Sequence, residues 1–232
     1  MKKFLLLIPV LALANKPISS LIIAPGMDVL IKKARAHDSW KFSNLRIVDL
    51  QNVQGSVLVK PRNYYGGKHA FAIIKLSHPL LNLEVSGDSN VVFDNARSKN
   101  LTINNRGSGV ISLKGNVNLS RVTQTNSGSI RGIWVNADKL KIEGNYGQIQ
   151  LAGVCKSLHV LGERDVKINT GYLRCNDVWV NAKDYANIVI NPLQHMKVWA
   201  SGNSTVMFRN MLNNSDRDVS SFDQALVMHT NS

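Results

Sequence analysis

From Leu80 onward, short runs of alternating apolar and polar residues return about every nineteen residues, each pair of runs separated by a polar stretch of Gly, Ser, Asn or Asp. The first run of each unit reads Leu83-Glu-Val85, Leu101-Thr-Ile103, Leu140-Lys-Ile142, Leu158-His-Val160, Val178-Trp-Val180 and Val198-Trp-Ala200. The second reads Val91-Val-Phe93, Ile111-Ser-Leu113, Ile149-Gln-Leu151, Val166-Lys-Ile168, Ile188-Val-Ile190 and Val206-Met-Phe208. A further, looser unit fits between Leu113 and Leu140 as Val122-Thr-Gln124 and Ile130-Arg-Gly132, which makes seven. Alternation with a period of two means strands with one buried face.

A strand-turn-strand unit of this size cannot bury its own apolar face, whereas stacked units share one continuous core. The pattern therefore predicts an all-β fold, a parallel β-helix (solenoid) of about seven regular coils, roughly 30 to 35 Å long at the ordinary strand spacing. An antiparallel sandwich is the alternative, but it has no need for like positions to recur unit after unit. The expected organisation is 1–14 as a signal peptide, 15–79 as first strands and an irregular N-terminal cap, 80–210 as the β-helix repeats, and 211–232 as a polar tail or C-terminal cap without period. Cys155 and Cys175 each stand three positions before a first run, at Leu158 and at Val178. Stacking would make them vertical neighbours within reach of a disulfide, the competing reading being two free thiols in the core.

The first residues, MKKFLLLIPVLALAN, set two lysines before a short apolar run and an Ala12-Leu-Ala14 triplet. That order fits a secretory signal cleaved before Asn15, too short to span a bilayer; a retained anchor or a buried strand is the other reading. The expectation is an exported protein of the periplasm, cell surface or secreted fraction, with no integral membrane segment after cleavage, in a compartment that allows the Cys155–Cys175 bridge. Lys and Arg outnumber Asp and Glu by 28 to 15 across the 232 residues. An exported basic protein is suited to anionic partners such as acidic glycans or lipopolysaccharide, or to another envelope protein, while nothing resembles a nucleic-acid reading motif.

The turns also carry a resemblance. Val85-Ser-Gly-Asp-Ser-Asn-Val-Val-Phe93, Asn105-Arg-Gly-Ser-Gly-Val-Ile-Ser-Leu-Lys-Gly115 and Ala200-Ser-Gly-Asn-Ser-Thr-Val-Met-Phe208 resemble the repeated turns of the DUF2807 family, the "putative auto-transporter adhesin head (GIN) domain". Ile23-Ala-Pro-Gly-Met-Asp-Val-Leu-Ile31 resembles its first strand pair. The resemblance implies a right-handed parallel β-helix, export and an adhesin-like role, and it brings no catalytic residues. Gly162-Glu-Arg-Asp165 and Lys183-Asp-Tyr-Ala-Asn187 depart from the family's glycine-serine turn.

Candidate chemistry is sparse. Gly87-Asp88-Ser89 could suggest an esterase nucleophile, yet no late Asp-x-x-His follows, and the related turns Gly107-Ser-Gly109 and Gly202-Asn-Ser204 move the serine and drop the acid. Asp88, Glu143, Glu163, Asp165 and Asp184 form no calcium column, and the histidines and cysteines lack zinc spacing. Arg106, Arg131, Lys141 and Lys167 could serve a polysaccharide lyase only with aligned carboxylates, which are absent from the pattern. No cofactor, metal or catalytic residue is expected. The middle residues of the first run would instead form an outward ladder, Glu84, Thr102, Thr123, Lys141, His159, Trp179 and Trp199, with Lys141, His159, Trp179 and Trp199 as the candidate ligand-binding surface. The favoured function is a non-enzymatic β-helix that binds a surface or glycan. An assembly module contacting another envelope protein comes second, and a carbohydrate-active enzyme third.

Overall fold

The computed structural model describes residues 18–42, 48–53, 56–62, 68–210 and 216–230; the signal-peptide segment lies outside them. Every element among these residues is a strand, and all join one sheet of fifteen strands wound into stacked coils. Strands β7 (Leu80–Val85), β8 (Asn90–Asp94), β9 (Ser98–Asn105), β10 (Val110–Gln124), β11 (Ser129–Ala182), β12 (Asn187–Ala200) and β13 (Thr205–Phe208) build the regular rungs, pairing in parallel.

The apolar positions stack as the alternation requires. Leu83, Ile103, Val122 and Ile142 form one inward column, and Val91, Ile111 and Ile130 form another. All are essentially inaccessible to solvent. Burying each such side chain is worth about 1.5–3 kcal/mol relative to exposure, and stacking supplies that burial from the next rung.

Each rung has a third wall that the two-run pattern does not show. Where β10 meets β11 the register breaks after Leu113 and after Asn118, which leaves a middle stretch with Asn116 opposite Trp134 and Val117 opposite Val135. The same wall pairs Arg174 with Asn191 and Cys175 with Pro192. It contributes few inward residues to a rung, Val117 and Leu119 in one, Val135 and Ala137 in the next and Cys155 alone in the one after, too few to alternate visibly. It also carries the Cys155–Cys175 disulfide, with Cα atoms 4.6 Å apart.

The corner after the first wall explains the recurring turn. A Cβ on Gly107 would come within 1.9 Å of the Gly87 carbonyl oxygen in the rung below, so only glycine lets the two backbones approach. Inside the corner, buried Asn105 donates through Nδ2 to Gln124 Oε1 at 2.9 Å and accepts from the Gly107 N–H at 3.2 Å. The amide column satisfies polar groups that the tight turn would otherwise leave buried alone. In the departing coils the left-handed position is filled without glycine: Arg164 and Asp184 take φ of 57° and 58°, and the Arg164 N–H donates to Asp184 Oδ2 at 3.1 Å.

The ends differ from each other. β1 (Ser20–Ile23) and β2 (Met27–Lys33) lie next to β7 and β8, while β5 (Ser56–Pro61) and β6 (Ala70–Leu76) form the rung beyond them. The first rung in sequence is thus the second in space. β3 (Ser39–Phe42) and β4 (Val48–Val53) close that end by pairing antiparallel to β6 and β5. At the other end the polar segment read as a tail or C-terminal cap is, in its described part, one more rung: β14 (Asp216–Ser221) stacks on β12 and β15 (Leu226–His229) on β13. Backbone pairing, with Ala225 and Val227 packed partly buried against the core, holds it there despite its polar composition.

Candidate functional site

Lys141, His159, Trp179 and Trp199 come together on the outer face of the first wall, where with Asn181 and Lys197 they line a cleft of about 400 Å³. Each projects outward because its sequence neighbours point into the core: Leu140 and Ile142, Leu158 and Val160, Val178 and Val180, and Val198 and Ala200 are all buried. Trp179 and Trp199 are 39% and 49% exposed, so both rings offer a face to solvent. The His159 and Trp179 rings lie 4.4 Å apart, tilted by 42°.

The ladder is not the single column that the alternation suggests. Trp179 stands opposite Lys197, and Trp199 stands opposite Asn181, because Val178 pairs with Met196 and not with Val198. Likewise Thr102 faces Asn82 and Arg121, while Glu84 faces Asn104. A one-residue slip would turn every apolar side chain outward and is detectable in sequence; a two-residue slip keeps the same residues inward and is silent. The tryptophans are therefore diagonal neighbours with Lys197 between them, its Nζ 5.0 Å from the Trp199 ring centre. Lys197 escaped the sequence pattern, although Met196-Lys-Val198 is itself an alternating run.

The charges around the cleft are unevenly compensated. Lys197 Nζ is 2.8 Å from Asp218 Oδ2 on the terminal rung. Lys141 Nζ is 2.5 Å from Glu143 Oε1, which Arg121 also holds, through Nε at 3.1 Å to Oε2. Burial alone would push the Glu143 carboxyl up, but the bonds from Lys141 and Arg121 keep it below the ordinary range. His159 is held below the usual imidazole value of 6.5, first by burial and then by the charges of Lys141 and Lys139. Its ring is neutral at pH 7.

Gly87-Asp88-Ser89 is a stitch between rungs. Ser89 is wholly buried, donates to the Ala24 carbonyl at 2.6 Å and accepts from the Met27 N–H at 2.9 Å, so its oxygen cannot meet a substrate. Asp88 Oδ1 accepts from the Gly26 N–H at 2.9 Å. His69 sits beside the stitch, with Nδ1 2.9 Å from Asp28 Oδ1 and Nε2 3.2 Å from Asp88 Oδ2. Its pKa is raised, chiefly by the bond to Asp28 and against the effect of burial, with Asp88 adding to it. Among the described residues no helix is long and apolar enough to cross a membrane.

Comparison with known proteins agrees with the fold. Residues 63–145 match the family model described as "Putative auto-transporter adhesin, head GIN domain" (DUF2807), the family whose turns the sequence resembles. No curated protein matches the chain. Among solved structures, a "putative adhesin" from Parabacteroides merdae ATCC 43184 superposes with a TM-score of 0.79 at 16% identity, covering 94% of this chain and 93% of that one. A "putative lipid binding protein" from Parabacteroides distasonis ATCC 8503 gives 0.75 at 14% identity, covering 93% of each. A "putative adhesin" from Bacteroides fragilis NCTC 9343 gives 0.60 at 10%, also covering 93% of each. At such identities the likeness is one of fold.

Proposed function

We propose that this chain, a β-helix with a DUF2807 segment, is an exported, non-catalytic, adhesin-like domain that holds a glycan in the Trp179–Trp199 cleft. The carrying observation is the cleft itself: two exposed indole faces on adjacent rungs, joined by Lys197 and flanked by His159. A flat aromatic face binds the apolar face of a pyranose ring, and about 400 Å³ lies within the size range of small-molecule sites. The adhesin names of the family and of two solved neighbours support a surface role. The burial of Ser89 removes the one nucleophile motif the sequence offered.

A glycan array probed with the wild-type protein and a Trp179→Ala/Trp199→Ala double variant tests this. The expected result is retention by the wild type that falls about tenfold or more in the double variant, the loss of roughly one stacking contact per ring. Trp134→Ala, which removes an exposed indole on the third wall, leaves retention unchanged. Equal retention by all three proteins refutes the cleft, and release of cleaved product refutes the non-catalytic reading.

The second reading, an assembly module contacting another envelope protein, draws on the terminal rung. There Val219, Phe222 and Leu226 are exposed, and no described strand covers the outer edges of β14 and β15. Val219→Lys would block such a contact and leave glycan retention intact.

A further inference from the structure

The cleft has two chemically different ends. At one end Lys197 stands between the indoles with Asp218 2.8 Å away, so its charge is largely matched. At the other end lie Lys141 and His159, with exposed Lys139 outside the lining but near enough for its charge to act on the imidazole. Glu143 lies beside Lys141 but is shared with Arg121, leaving two cations on one carboxylate. Asp177, on the following rung, lies 4.0 Å from the His195 ring. The charges felt at the His159 ring are those of Lys141 and Lys139.

Resting on the glycan reading above, we infer that the cleft selects an acidic pyranose, binding it with the sugar face over Trp179 and its carboxylate toward Lys139, Lys141 and His159. The distances favour this direction, since His159 and Trp179 are in ring contact at 4.4 Å, so a sugar stacked on Trp179 brings a ring substituent to the imidazole edge. An anion there meets an excess of positive charge, since Lys141 and Arg121 share the single carboxylate of Glu143, whereas at the Lys197 end it would compete with Asp218 for one cation. A carboxylate beside His159 also favours the imidazolium, so binding takes up a proton and tightens as pH falls. The carboxylate of a uronic acid stays ionised throughout that range.

Calorimetric titration with tetragalacturonate and with maltotetraose tests the inference. The expected result is about tenfold tighter binding of the acidic oligosaccharide, with the ratio growing between about pH 7.5 and about pH 5. Lys139→Gln/Lys141→Gln removes the preference for the acid, so that the variant binds tetragalacturonate no more tightly than it binds maltotetraose. His159→Gln removes the growth with acidity while the indoles still support binding. Equal affinities that are both lost in the tryptophan double variant overturn the acid selectivity and leave the glycan cleft standing. Failure of both sugars to bind overturns the two together.

Discussion

Ser89→Ala tests whether the glycine-rich turn is a structural stitch. The hydroxyl is fully buried and serves two backbone groups sixty-odd residues away in sequence, the Ala24 carbonyl and the Met27 N–H. Alanine preserves the shape but strands both groups, and each orphaned buried group costs about 1–3 kcal/mol. The expected loss is about 2–4 kcal/mol, at the lower part of the summed range because the corner can relax. Ser86→Ala in the same turn is the control. The Ser86 hydroxyl donates to the Ile23 carbonyl at 3.1 Å, but that oxygen also accepts the Ser86 N–H at 3.0 Å and so keeps a partner. Its removal should cost about 1 kcal/mol or less. Stacked rungs open in local units, so the assay is hydrogen exchange followed by mass spectrometry. Peptides covering 20–33 and 84–94 should exchange about 30-fold faster or more in Ser89→Ala, while those covering 187–208 keep wild-type rates. An effect no larger than that of Ser86→Ala, or one spread evenly along the rod, would refute the stitch.

Replacing Cys155 and Cys175 with serine opens a closure spanning 20 residues and should lower urea stability by roughly 3 kcal/mol; alkylation of both thiols in the native, unreduced protein would contradict the bridge. Gly107→Ala forces a methyl group onto the Gly87 carbonyl and should cost about 2 kcal/mol or more, read as a lower urea midpoint; a neutral result would mean the corner is looser than it looks. His69 is protonated more readily in the folded chain than its ordinary 6.5, so the stability it contributes is complete below about pH 6.5 and is lost as pH rises through its raised folded value. Urea midpoints measured across that interval should therefore fall with rising pH in the wild type, and His69→Gln should flatten this component; an unchanged slope would place the pH dependence elsewhere.

The repeat was legible because burial in a solenoid is written as alternation. Leu83, Ile103, Val122 and Ile142 point inward for the same local reason that makes them apolar, and even the irregular unit at Val122 and Ile130 fell into register. The vertical placement of Cys155 on Cys175 followed from their equal distance to the next run. Of the candidate site, the four residues were legible as outward positions, but their mutual arrangement was not, and Lys197 was passed over. The third wall was hidden by its brevity, and the final rung by its polar composition.

By itself, then, the sequence determined which side chains of the two recurring runs face in, the length of the repeat, and that Lys141, His159, Trp179 and Trp199 share one outer wall. Only the tertiary structure decided that Trp199 stands one pleat along from Trp179 with Lys197 between them, and that β1 and β2 are inserted between β5 and β6 on one side and β7 and β8 on the other. The physical reason is the same in both cases. Alternation records burial, which is unchanged by shifting a strand two residues or exchanging the order of two rungs. What fixes register and order is pairing between residues far apart in sequence, such as Val178 with Met196 or the Ser89 hydroxyl with Met27.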